Sequence, residues 1–516
     1  MSENIGFEGV LKNPVERMLQ TRTQCLAILI GLLSVTGAVG SAHAQNDVGA
    51  RARQETDRRQ KFSDLMQFEA DHRIKANPEI PASQRMLFDY GALITFQYNS
   101  IDDRLGNNHG LRQTDLIGYV RAELDSANEI FARYRASYQD FNPGDSFEGR
   151  GSEWNHLDFD RAYYRFDLAR YFASTSGQSL AYNVTMKLGR DLVYWANGLV
   201  LGQVIDGGLF ELSYKKMHLE LLGGITPVRT VDFDSSRPNY DHNTRRGFFG
   251  GMLKMDVDTE NFGRHHPFVY GMVQRDFNSF DSANISGFPT QFNYNSYYIG
   301  FGSTGSLNDH LLYGVEAVYQ GGDTLSNSFV INGANVSAAS QTRNAIHAGA
   351  VDIKLDYLVN DSQKTRLSVE LLGASGDGNR GHSSNTFNGS KPGKNDHAFN
   401  ALGLINTGLA FSPQVSNLAM LRLGASTYPL SSQSAFKKFQ IGTDLFVYGK
   451  MSSRGGFSEP AGNSHYLGIE PDLFVNWQIC SDVTLAARYG VFFPGGGGSS
   501  AGGNRQFFYL GVTFAF

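Results

Sequence analysis

The chain of 516 residues has only 2 cysteines and 14 prolines, and past residue 45 it carries no long uninterrupted apolar run. Scarce cysteine excludes a disulfide-built fold: Cys25 falls in a leader-like segment, which leaves Cys480 alone. Transmembrane helices are excluded in the same way, because each takes about 20 consecutive apolar residues. The formal net charge of −5 argues against a general nucleic-acid binder. There is no Gly-x-Ser-x-Gly elbow, and Gly495 to Gly498 lacks the Lys and Ser/Thr of a phosphate loop. His218 and the pair His265-His266 lack partners at metal-ligand spacing. A non-enzymatic protein without cofactor is expected, with Ca²⁺ in the oxygen-rich loops Gly376-Asp377-Gly378-Asn379 and Asp232 to Asp241 as a weak alternative.

What the chain does have is glycine and aromatics: 58 Gly, 24 Tyr and 37 Phe. With a modest hydrophobic fraction this suits a transmembrane barrel, where only every second strand residue meets lipid. Cys25 to Val39 reads as a signal-peptide apolar core followed by the cleavage tripeptide Ala42-His43-Ala44, so the mature chain is expected to begin at Gln45. Three segments follow: an extended leader over 1–44, a charged segment with a weak helical stripe over 45–86, and a barrel over 87–516.

From Met86 onward, alternating runs recur between turns. Nineteen candidates are found, among them 87–99, 208–215, 217–224, 398–411 and 505–516. Bacterial single-chain barrels have even strand numbers, so one candidate is surplus, and the first strand or the 208–224 hairpin is the expected error. Connections alternate between short ones, such as Asn360-Asp361-Ser362 and Cys480-Ser481, and long ones rich in Gly, Asn and Ser. The expected fold is all-β: a transmembrane antiparallel β-barrel of about 18 strands with short periplasmic turns and long extracellular loops that gate the mouth. It is expected to be a monomer in the outer membrane of a Gram-negative-type bacterium, in contact with lipid and lipopolysaccharide. In the last strand Phe508, Leu510, Val512, Phe514 and Phe516 share one phase. They are expected to face lipid while the strand closes the barrel against 87–99, and the terminal Phe to be read by the barrel assembly machinery.

Charges in the opposite phase are expected to line the lumen, since one turned to the lipid midplane costs roughly 2 to 4 kcal/mol. The cations are Arg121, Arg133, Arg135, Arg161, Arg165, Lys187, Arg190, Arg366, Arg422 and Arg488; the acidic neighbours are Asp160, Asp167, Asp191, Asp352 and Glu370. Guanidinium forks match carboxylates, so a row of them suits a polymer with one carboxylate per sugar, and the acids weaken each site enough for release. The alternative is that these pairs neutralise each other and stiffen the wall.

The stretches Lys187 to Val200, Phe233 to Pro238 with Asn243 to Phe248, and Tyr466 to Leu473 running to Arg488 to Gly495 resemble the alginate export family, with the likeness spanning roughly 87–516. The resemblance implies an outer-membrane barrel with an arginine-rich lumen that exports a polymer of uronic acids, together with periplasmic export partners. An anion-selective or general porin for small solutes or oligosaccharides is the second reading, and a barrel enzyme the third.

Overall fold

In the computed structural model, residues 81, 84–146, 152–241, 244–259, 263–278, 282–332, 335–459, 461–498 and 503–516 are described. The leader and nearly all of the charged N-terminal segment lie outside them.

Alternating sequence becomes strand almost throughout. The barrel strands are β1 (Met86–Asp102), β2 (Asn108–Leu124), β3 (Asn128–Phe141), β4 (Glu153–Asp167), β5 (Tyr182–Tyr194) and β6 (Gly202–Tyr214). Next come β7 (Met217–Ile225), β8 (Arg246–Met255), β9 (Gly263–Asp276), β10 (Tyr294–Ser306), β11 (Leu311–Leu325) and β12 (Arg343–Leu358). The last six are β13 (Arg366–Ala374), β14 (Leu418–Thr427), β15 (Phe439–Gly449), β16 (Tyr466–Cys480), β17 (Val483–Pro494) and β18 (Arg505–Ala515). The segment Val257–Thr259 continues β8 past Asp256 and pairs with β9. Each strand pairs antiparallel with its successor, and β18 returns to β1 with register from Leu93↔Ala515 to Ile101↔Phe507. The result is a closed barrel of 18 strands. Closure leaves no unpaired edge to aggregate.

At the seam the Phe516 N–H donates to the Ala92 carbonyl at 2.9 Å. Outside it, Phe96 meets Phe514 and Tyr98 meets Phe508, each with ring centroids 6.4 Å apart. Phe508, Leu510, Val512, Phe514 and Phe516 hold the outward phase, and Phe507 on the other face is buried. One rim has mostly short turns, with the helix α1 (Leu168–Ser176) after β4 and a short 3-10 turn (Ser434–Phe436) between β14 and β15; the other carries the long loops.

The expected surplus strand was misplaced. The first strand and the 208–224 hairpin are both real, and 398–411 is not a strand. Its apolar residues belong to the long connection 375–417, which folds into the lumen. Phe399, Leu402, Ile405 and Phe411 are buried there against the inward faces of β6 to β17, and Leu404 is buried beside Gly202 at the start of β6. The alternation of 398–411 records burial in a core rather than contact with lipid.

Candidate functional site

The lumen is the candidate site, and strand period two decides what enters it. In β3 the side chains of Phe131, Arg133, Arg135, Ser137 and Gln139 are buried inside while Ile130, Tyr134 and Tyr138 are exposed outside. A register shift in β4 beside Arg133 places both Asp160 and Arg161 inward. Arg133 then grips Asp160 with Nε and Nη2 at 2.8 and 2.5 Å.

Ion pairs, most of them between neighbouring strands, recur around the wall. Arg121 donates to Glu129 at 2.9 Å, and the other oxygen of Glu129 accepts from the Tyr163 hydroxyl at 3.1 Å. Arg135 reaches Asp115 at 3.2 Å and Ser137 at 3.0 Å. Lys187 donates to Asp191 at 2.8 Å, with Arg161 3.7 Å from the same carboxylate. On the far side Lys354, Glu370 and Arg422 stand on one rung across three strands. Lys354 sits 3.1 Å from Asp352 and 3.3 Å from Glu370, and Arg422 donates to Glu370 and to Asp444 at 2.8 Å each. Arg366 pairs bidentately with Asp356 at 2.9 and 2.6 Å. Opposite charges directly across a sheet stabilise it, so these pairs hold strand register as well as colouring the lumen.

Two cations differ. Arg488 donates to the carbonyls of Val475 and Ala487, both at 2.9 Å, and to Asn476 at 2.6 Å. Arg165 has no hydrogen bond or ion pair with any described residue. It is flanked on its rungs by Glu129, already engaged by Arg121 and Tyr163, and by Lys187, already engaged by Asp191.

Two expectations are corrected. Arg190 faces outward, because it stands three positions along the strand from inward Lys187 and an odd spacing puts the two on opposite faces. It pairs bidentately with Asp206, directly opposite on β6, at 2.6 and 2.8 Å. Asp167 ends β4 and caps α1, accepting from the Arg170 N–H at 3.0 Å, instead of serving as a lumen counter-ion only.

The feature that sequence reasoning missed is the anchoring of 375–417. The Glu470 carboxylate, fully buried on β16, accepts three successive backbone N–H groups from Leu409, Ala410 and Phe411 at 2.5, 2.6 and 2.8 Å. The preceding residue, Gly408, has φ +97°, and a Cβ there would lie 2.2 Å from the Tyr448 hydroxyl, so only glycine fits. Asn400 donates its N–H to Gln320 at 2.9 Å, and its carbonyl accepts from Gln320 and Tyr298 at 2.7 Å each. The Phe411 ring stacks on Phe492 at 4.0 Å, with the Arg505 guanidinium over both rings. Within the loop, Arg380 pairs with Asp396, whose carboxyl burial pushes above the usual range against the pull of Arg380. Five fully or nearly buried apolar side chains at about 1.5 to 3 kcal/mol each bind this loop far more tightly than thermal motion can release. The loop is thus seated along the inner wall. The only sequence signal was the apolar content of 398–411.

The loop carboxylates considered for Ca²⁺ are used internally. Asp232 binds Arg237 and Arg246 at 2.6 and 2.9 Å, Asp234 accepts from Ser236 and Thr386 at 2.6 Å, and Asp377 accepts from the Asn379 N–H at 2.7 Å. Among the described residues no group of three or more His, Cys, Asp or Glu is placed to hold a metal ion.

The chain resembles several solved barrels of Pseudomonas aeruginosa at low identity. OccK9 (OpdG) superposes with TM-score 0.48 at 10% identity, covering 83% of this chain and 98% of that one. OccK5 (OpdH) gives TM-score 0.47 at 9% identity over the same shares. OccK2 (OpdF), solved in complex with glucuronate, gives 0.44 at 11%, again over 83% and 98%. No curated protein matches by sequence. The family model described as "Alginate export" matches residues 230–506.

Proposed function

This chain belongs to the alginate export family, and we propose that it is an outer-membrane channel through which an anionic polysaccharide, alginate or a similar polyuronate, diffuses down its gradient. Family and closed barrel together indicate an outer-membrane transport channel for polysaccharide or small solutes rather than an enzyme. The polyuronate reading rests on one observation: Arg165, on the inward face, has no partner among the described residues. A uronate carboxylate reaching it meets a guanidinium that no wall carboxylate has neutralised. Its neighbours Arg121, Arg161 and Lys187 are held by wall acids, so a passing carboxylate displaces one acceptor for another and is neither excluded nor trapped.

Planar-bilayer recordings of the purified channel test this. Polyuronate is expected to block small-ion current, and Arg165→Gln to weaken the block by about ten- to a hundredfold, the loss of one charge-assisted contact of roughly 1.5 to 3 kcal/mol. Equal block in the variant, or none in the parent, overturns the reading. The bulk of 375–417 inside the barrel favours the second reading, a pore for oligosaccharides or small solutes, which predicts current block by short uronates but not by long chains.

A further inference from the structure

Four side chains outside the ion-pair wall converge at the short-turn rim, on the inward side of β6 to β9. The Ser213 hydroxyl lies 2.9 Å from His218 Nδ1, and His218 Nε2 lies 3.0 Å from one oxygen of Asp256. The other Asp256 oxygen lies 2.7 Å from His266 Nδ1. Ser213 and His218 are cross-strand partners, while Asp256 sits in the break after β8, its N–H tied to the Lys216 carbonyl at 2.7 Å. His218, Asp256 and His266 are each about two-fifths exposed, so protons reach them from the aqueous mouth.

We propose that His218, Asp256 and His266 form a proton-sensitive collar at the periplasmic mouth that raises the channel's preference for anions as the pH falls. The inference rests on the channel reading above. One carboxylate shared by two imidazoles holds a net charge of −1 when both rings are neutral and +1 when both are protonated. Histidine is the side chain that makes this change between about pH 5 and 8. The facing charges are Glu211 on β6, Glu220 on β7, Lys254 on β8 opposite His218, Lys215 and Lys216 in the β6–β7 turn, and Asp258 and Arg264 beyond Asp256. Lys254 is bound to Glu220 at 3.3 Å, Lys216 and Arg264 both lie against Asp258, and Lys215 covers Tyr214. The two imidazoles hold their carboxylate below the usual range, the direction expected if it stays ionised while they titrate. Short turns mark the periplasmic side of such barrels.

The test is the reversal potential of the full-length channel under a salt gradient, measured from about pH 8 to pH 5.5, the span of histidine titration. The anion-to-cation permeability ratio is expected to rise about threefold on acidification as the mouth gains positive charge. In His218→Gln/His266→Gln the rise is expected to vanish with single-channel conductance retained. Asp256→Asn is expected to move the midpoint to lower pH, a shift that a merely structural network would not produce. A flat parent profile, or an undiminished rise in the double variant, overturns the collar; absence of conductance from every form overturns the channel reading instead.

Discussion

The two halves of the lumen are built on opposite chemistry. Toward the long loops, the inward faces of β6 to β17 build an apolar core with a few buried polar anchors: Ile205, Phe248, Met272, Val318, Ile346 and Phe446 pack beneath 375–417 beside Gln320 and Glu470. Toward the short turns the same strands carry Glu220, Lys254, Asp352, Lys354, Glu370, Arg422 and Asp444, paired with one another, the cations partly exposed and Asp352, Glu370 and Asp444 buried. One half has a core, as a soluble domain has; the other is a wall of fixed dipoles. The contrast teaches that inward alternation alone does not make a passage. Inward apolar residues, helped by a buried carboxylate such as Glu470, seat a loop, while the other inward charges pair along the wall.

Breaking the seat should have the largest effect. Phe411→Ala removes a stacked, buried ring and is expected to cost about 3 to 5 kcal/mol of loop packing. Single-channel recordings should show larger, noisier conductance while the barrel keeps its heat-modifiable migration. Glu470→Ala should act the same way, since three backbone N–H groups lose their acceptor at about 1 to 3 kcal/mol for each buried group left unsatisfied. An unchanged conductance in both would mean that current does not pass beside this loop.

The outer wall sharpens the comparison from the other side. Arg190→Leu leaves Asp206 facing outward alone and is expected to lower barrel stability by about 2 to 4 kcal/mol. Arg190→Leu/Asp206→Leu should recover most of that loss in a urea-unfolding series with lipid vesicles. Deleting Phe516 is expected to have a smaller and different effect: less protein inserted in the outer membrane, with the conductance of inserted channels unchanged. Normal insertion would refute an assembly role for that residue.

The smallest effect is expected at the loop 103–107. Burial alone would raise the Asp103 carboxyl, but hydrogen bonds from Asn107 and the Leu105 N–H outweigh it and hold the group below the usual carboxylate range. A depressed value stabilises the fold above the ordinary carboxylate pKa, and that contribution disappears as pH falls through the folded value. Hydrogen exchange at the Leu105 and Asn107 amides should therefore quicken, relative to its intrinsic rate, only in strong acid. Asp103→Asn should abolish this pH dependence.

Much of this was legible in the residues. Alternation placed Arg133, Arg135, Lys187, Asp352 and Glu370 on the inward face, and the Phe508 to Phe516 strand opposite β1, because a period of two leaves each side chain one choice of face. It failed at Arg190, where counting the odd spacing from Lys187 would have sufficed, and at 398–411, where counting could not help. A buried loop and a membrane strand draw on the same apolar residues.

The sequence by itself therefore determined the barrel, its period-two faces and its closure, all properties of local period and chain order, though not which apolar run was a strand. Tertiary structure alone decided what occupies the lumen. Glu470 and Phe411 are 59 residues apart along the chain, and no local pattern announces that one will hold the other. That Arg165 finds no partner among the described residues was decided in the same way, by which of its neighbours' carboxylates had already found a cation.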